Sequence, residues 1–366
     1  MGGTRGRNAG RTMHGATMGI LGLLVAVAAV VPGCGRQAKD AGAAWSDRSY
    51  VLWVGIPVRV RFSLPAARAQ DLPALEAAVL DEIRRTGDAF NAFDAGSEVG
   101  RFNRDAGRNP FRPSEELSTL LRVAGAVTKA TDGAFDVTVW PLKMLWKRAV
   151  KEGVPPAPDD LKAAMTRVGM QRLAFAPDGA LLPLEPPATL DFGGIVKGYA
   201  VDRAAALLKD RGATAGMVQV GGEIRAFGAA PDGHPWRVGV RDPLDANGLQ
   251  GVVEASGDLA ISTSGNYEQP VRIAGREYYH ILDPRTGEPV DTKVLGVTVV
   301  QEGGDFPNAT ADALATAFAV LGPDRGLELA ATMPGAGVLF LARDDDGTVR
   351  RQASAGMACR YRPAAR

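Results

Sequence analysis

A chain of 366 residues with 42 Lys and Arg against 41 Asp and Glu can bury a sizeable core without disulfide staples. Its near-neutral balance excludes an electrostatic case for nucleic acid or for an extended anionic membrane surface, so any anion site has to be local. Only two cysteines occur, Cys34 and Cys359, too few for a disulfide framework.

The N-terminus reads as an export signal. Arg5, Arg7 and Arg11 form a basic region, no acid precedes Asp40, and residues 19–31 (GILGLLVAVAAVV) form an apolar run short for a bilayer span. The run ends in VPGC, which resembles a bacterial lipoprotein cleavage site. On that reading residues 1–33 are a signal peptide and Cys34 is the lipidated first residue of the mature chain. Residues 34–48 are a Gly/Ala-rich tether and 49–362 the folded domain. The competing reading is an ordinary secretory signal with a coincidental cysteine. A lipidated Cys34 argues against pairing with Cys359.

Residues 50–62 are β-branched and aromatic and predict a strand or hairpin. Leu75, Val79, Ile83, Phe90 and Phe93 recur at helical spacing after Pro73. Ser114 caps a second helix with Leu117, Leu121, Ala124 and Val127 on one face. Residues 147–190 carry the weakest pattern: a short helix at LKAAMTRVG, then a hairpin turning at Asp178-Gly179. A Gly-rich turn, DFGG, leads into the helix IVKGYAVDRAAALLK. Strand-like runs follow (GMVQV, EIRAFG, PWRVGVRDP, DLAISTSG, LGVTVVQ), with EYYHILDPRTGEPV as two strands about a tight turn. NATADALATAFAVLG predicts a helix ended by Gly322 and Pro323, and a hairpin at Asp346-Gly347 closes the chain. Strands and helices mixed without a βαβ rhythm predict an α+β fold of mixed sheets with packed helices.

Several stretches carry chemistry. In DFGGIVKGYAVD a Gly pair lets backbone approach a ligand, the following helix end favours an anion, and Lys197 adds a full charge. Neither GxxxxGK[ST] nor GxGxxG is present. Asp191 is either an N-cap or an acid that faces a cation. Asp312 and Thr316, four apart, present a carboxylate and a hydroxyl on one helical face, a pair suited to a hard cation such as Mg²⁺; the plainer reading is a solvated Asp and a backbone-bonded Thr. His280 is either a proton-transfer group or a hydrogen-bonded core histidine. Phe135 and Asp136 in GAFDVTV suit a heterocycle or simply open a strand. CxxC, HExxH and GxSxG are absent, which leaves zinc and serine hydrolase readings unsupported.

Taken in order, FDAGSEVGRFN (93–103), TDGAFDVTV (131–139), DFGGIVKGYAVD (191–202), GGEIRAFG (221–228), STSGNYEQ (262–269), HILDPRTGEPV (280–290) and TADALATAFAVLG (310–322) resemble the ApbE family, the FAD:protein FMN transferases. The resemblance implies FAD in a cleft between lobes, Mg²⁺ on its pyrophosphate, and attack by a client Ser or Thr hydroxyl on the flavin-side phosphorus with AMP leaving. It assigns flavin contacts to Ala134, Phe135, Asp136, Asp191, Lys197 and Leu282. It assigns the metal to the Gly194 carbonyl with Asp312 and Thr316. Some members carry a second acid where Ala315 stands here, and an early Met-Gly-Thr contact appears as Val54-Gly55-Ile56. His280 is the first candidate for general base and Asp191 the second. The implied setting is the bacterial cell envelope, lipid-anchored through Cys34 and facing the periplasm, with envelope flavoproteins as clients. A metal-dependent FAD pyrophosphatase and a non-catalytic FAD-binding lipoprotein are the alternatives.

Overall fold

The computed structural model describes residues 42–53, 55–105, 109–265, 271–290 and 293–364. The residues read as a signal peptide, Cys34 and most of the residues read as a tether lie outside them, as do Val54 and Asn266. Two long strands open the fold, β1 (Ala43–Leu52) and β2 (Ile56–Pro65). Helices α1 (Leu72–Ala89), α2 (Glu98–Asp105), α3 (Glu115–Ala130), α4 (Trp140–Glu152) and α5 (Pro158–Met165) follow, then a small hairpin, β3 (Ala174–Phe175) and β4 (Leu181–Leu182). Next come α6 (Val196–Asp210), β5 (Ala215–Val220), β6 (Glu223–Phe227), β7 (Trp236–Arg241), β8 (Leu249–Ala255) and β9 (Leu259–Gly265). A second small hairpin, β10 (Val271–Ile273) and β11 (Arg276–Tyr278), precedes β12 (Val294–Gln301) and α7 (Pro307–Ala330). The chain ends with β13 (Ala336–Arg343), β14 (Val349–Ala353), α8 (Ala355–Ala358) and β15 (Tyr361–Pro363).

The main sheet has eight strands in the order β1-β2-β5-β6-β9-β12-β13-β14, antiparallel throughout. Strand alternation gives it two apolar faces. Val218 and Val220 of β5 join β2 residues against α1 and α6, while Met217 faces the other way, toward a three-stranded sheet in the order β15-β8-β7. The largest cluster gathers α3, α7 and the loops before α4 and α6. Each Leu, Ile, Val or Phe fully buried in these layers contributes roughly 1.5–3 kcal/mol. This is the α+β architecture the segment pattern predicts.

The α3 expectation holds in detail: Ser114 Oγ accepts from Leu117 N–H at 3.1 Å, and the Leu117 face is buried. Several local expectations change, among them the two strands about the DPRTG turn, where only an isolated Leu282–Pro289 bridge forms. Ala43–Ser49 pairs with Arg59–Pro65, so residues 43–48 belong to the sheet rather than to a tether. Phe90 is buried, but α1 has ended by Phe93, which stands 54 % exposed. GAFDVTV forms turns leading into α4 instead of a strand. Gly322, at φ 75° and ψ 175°, does break the helix there, but Pro323 starts a further helical segment that reaches Ala330.

Candidate active site

A cleft of about 570 Å³, within the usual size for small-molecule sites, is lined by the start of β6, the ends of β7 and β9, the loops entering α4 and α6, the His280 segment, and one face of α7. Ala134, Phe135, Asp136, Asp191, Gly194, Lys197, His280, Leu282, Asp312 and Thr316 all line it, so residues up to 182 positions apart converge on one space. Ile56 reaches the same cleft from β2.

The Gly-rich turn is positioned from outside. Asn103 of α2 takes Leu190 by both edges, accepting from its N–H at 2.6 Å and donating to its carbonyl at 2.8 Å, while Asp191 N–H donates to Val137 O at 2.7 Å. Asp191 is not the N-cap of α6; that position is Ile195, with no side-chain bond. The Asp191 carboxylate instead accepts from Lys143 Nζ of α4 at 2.7 Å, so the acid does face a cation. Beyond it, a Cβ on Gly194 would lie 3.1 Å from Thr316 Oγ1 and 3.2 Å from the Phe135 ring. A side chain there would crowd both, which explains glycine at this point.

Lys197, in the first turn of α6, lies between two buried carboxylates, 3.3 Å from Glu223 Oε1 and 3.4 Å from Asp312 Oδ2. Asp312 also accepts from Gly198 N–H at 3.0 Å, so this first-turn donor is already used. Desolvation works against the Lys197 ammonium, yet Asp312 and Glu223 outweigh it and raise its pKa. Burial pushes the Glu223 carboxyl well up, Lys197 opposes this, and Asp312 adds to it. Glu223 Oε2 has no hydrogen-bond partner among the described residues.

On the apolar side, Ala134 and Phe135 are buried, and Leu282 bridges to Pro289 beside the Trp146 cluster. The Asp136 carboxylate is occupied by Thr138 N–H, Thr138 Oγ1 and Met170 N–H at 2.8, 2.6 and 2.9 Å, which makes it the keystone of its own loop. Burial pushes its pKa up against those bonds. Trp146 Nε1 donates to Gly287 O at 2.8 Å and so ties α4 to the turn that follows His280. His280 opens to solvent through the cleft but sits in a crowded recess; desolvation first, then Lys143 and Lys197, bring its pKa from 6.5 to about 4. Its imidazole is therefore neutral at physiological pH.

The oxygen set of Asp312, Thr316 and the Gly194 carbonyl fits a hard cation that keeps waters and takes phosphate oxygens. No group of three or more His, Cys, Asp or Glu able to hold a metal occurs among the described residues. Sequence reasoning left Lys143 and Glu223 unassigned. Glu223 lies inside a quoted motif, whereas Lys143 sits in a helix whose sequence gives no sign of the cleft.

The ApbE family model matches residues 54–340. The chain belongs to the ApbE family. It is 36% identical over 275 residues to a FAD:protein FMN transferase of Vibrio cholerae, covering 74% of this chain and 78% of that protein. It is 31% identical over 358 residues to a FAD:protein FMN transferase of Treponema pallidum, covering 93% and 95%. The solved flavin transferase ApbE from Vibrio cholerae superimposes with a TM-score of 0.74 at 31% identity, covering 87% of this chain and 99% of that one. The ApbE protein of Thermotoga maritima gives 0.74 at 29% identity, with 87% and 100% covered. The family's fold thus extends over nearly the whole described chain.

Proposed function

We propose that this protein transfers the FMN part of FAD to a Ser or Thr hydroxyl of a client protein and releases AMP. The observation that carries the reading is the convergence, in one cleft, of the Phe135 wall, the Asp191–Gly194 turn, the Lys197–Asp312–Thr316 group and a neutral imidazole at His280. The acceptor oxygen bonds to the flavin-side phosphorus as the bond from that phosphorus to the oxygen bridging to AMP breaks. The hydroxyl proton goes to a base. His280 is the better candidate, since it carries a free lone pair at neutral pH, whereas the Asp191 carboxylate is engaged by Lys143. An anionic diphosphate beside His280 raises its basicity back toward neutrality. The rest of the catalysis is positioning and charge neutralisation.

Asp312, Thr316 and the Gly194 carbonyl would hold Mg²⁺, which when bound supplies charge neutralisation for the diphosphate and the leaving AMP. Ala315 is buried on the same helix and offers no further ligand. We further propose that Cys34 is lipidated and anchors the protein in the cell envelope, facing the periplasm, where its clients are membrane flavoproteins. No helix among the described residues is long and apolar enough to cross a membrane.

The test is incubation with FAD, Mg²⁺ and candidate envelope clients. A client mass increase equal to one FMN unit, lost with the acceptor Ser or Thr, together with released AMP, supports the transfer. Free FMN and AMP at the same rate with and without client would make the protein a pyrophosphatase instead; intact FAD in every condition would make it a binding protein. For the anchor, Cys34→Ala should move the protein from the membrane fraction to the soluble one.

A further inference from the structure

The Gly193-Gly194 dipeptide is approached from two sides. On one side Thr316 Oγ1 lies 3.1 Å from the position a Cβ on Gly194 would take. On the other, Lys143 Nζ lies 3.3 Å from the corresponding position on Gly193. Lys143 belongs to α4, and that helix is fixed to the far wall of the cleft by the Trp146–Gly287 bond. An ammonium carries three donors, and among the described residues Asp191 is the only hydrogen-bond acceptor Lys143 has. Phe93 supports the same ammonium from outside, its ring centroid 5.4 Å away. The side chain is 37 % exposed and faces the cleft, so its remaining donors reach a ligand without leaving protein groups unpaired.

We propose that Lys143 is a substrate-binding residue: held beside Gly193 by Asp191, its ammonium takes a phosphoryl oxygen of the bound dinucleotide in the cleft that Asp312 and Thr316 also line. The inference rests on the reading of this cleft as the FAD site. Asp191 then acts as the counter-ion that fixes Lys143 and reduces its own repulsion of the substrate. Two ammonium groups thus meet at the glycine turn, Lys143 beside Gly193 and Lys197 3.4 Å from the Gly193 carbonyl and 3.4 Å from Asp312, so that a diphosphate there would meet both.

The experiment compares binding of FAD and of riboflavin, which shares the ring and lacks the phosphates, to the wild-type protein, Lys143→Met, Lys143→Gln and Lys143→Arg. Charge-assisted hydrogen bonds at a partly exposed site predict FAD affinity down about five- to tenfold in the Met and Gln variants, with a matching rise in KM for FAD. Riboflavin affinity should be unchanged, and Lys143→Arg should restore FAD binding to within about threefold of wild type. Equal weakening of FAD and riboflavin would overturn the assignment, because the contact would then be to the ring or to the fold. Unchanged FAD binding would overturn it as well, leaving Lys143 a partner of Asp191 only. If the wild-type protein itself bound no FAD, the cleft assignment would fail, a result distinct from either.

Discussion

Lys197 is shared between Asp312 and Glu223, and the sharing sets how readily Asp312 can serve a metal. Each carboxylate draws the ammonium, so charge removed from Glu223 leaves it with Asp312 alone. At a pH above the raised Glu223 pKa, where its carboxyl is ionised, Glu223→Gln should therefore weaken Mn²⁺ or Mg²⁺ affinity by roughly three- to tenfold, read by calorimetry without any turnover, since a more tightly held lysine competes with the cation. Asp312→Ala should abolish that binding and lower transfer at least about tenfold. Tighter metal binding in Glu223→Gln would show that Lys197 does not compete. His280 has its own signature. Desolvation by the walls of its recess and then the two lysines facing it, Lys143 from α4 and Lys197 from α6, lower its pKa to about 4 although the ring is open to the cleft. The folded value lies below the unfolded one of 6.5, so the unfolded chain takes up the proton first. The His280 contribution to stability is complete above 6.5 and is lost as pH falls toward 4. An NMR titration of the ligand-free protein should give a midpoint near 4, moving upward when FAD is added; a ligand-free midpoint at or above 6.5 would remove the basis for this picture.

At the scale of elements, the site depends on how α6 crosses α7. Gly198 is the contact: a Cβ there would stand 2.2 Å from the Asn308 carbonyl, which belongs to backbone and cannot swing aside. One turn on, Asp202 of α6 accepts from the Asn308 and Ala309 N–H groups at 3.0 and 2.8 Å, capping α7 from a neighbouring helix. These contacts hold Lys197 and Asp312 at ion-pair distance. Gly198→Ala must push the helices apart, at a cost of about 1–3 kcal/mol from overpacking. It should also stretch the Gly198 N–H bond to Asp312, so metal affinity should fall along with the melting temperature. A variant that lost stability but kept full metal affinity would show that the crossing does not set the site. The four-residue spacing of Asp312 and Thr316 was legible in the sequence because one helix fixes it. The Lys143–Asp191 pair was not, because its partners are 48 residues apart on elements whose meeting no local pattern encodes.

Across the whole molecule, most segments could be read from apolar periodicity and turn residues, since those record local backbone preference. The order of strands in the eight-stranded sheet could not, because β6 pairs with β9 and β9 with β12 through long-range packing. The N-terminal boundary of the folded domain also lies earlier than composition suggests. Residues 43–48 look like tether by composition, yet they complete an edge strand whose partners all lie elsewhere in the chain. Trp45 packs edge-on against Trp236 with ring centroids 6.1 Å apart, and the Arg61 guanidinium lies over both rings. Ser46 donates to Glu76 of α1, and Asp47 accepts from Arg59 at 2.8 Å. A chain starting at residue 49 loses all of these together with more than half of the β1 ladder. Loss of the tryptophan pair and of the apolar area it covers should cost about 2–4 kcal/mol, with exposed Asp47 adding little. The melting temperature should fall by roughly 3–6 °C relative to a chain starting at residue 42. FAD binding should survive at low temperature, since no residue of 43–48 lines the cleft. Equal melting temperatures for the two chains would mean that residues 42–48 add no stability.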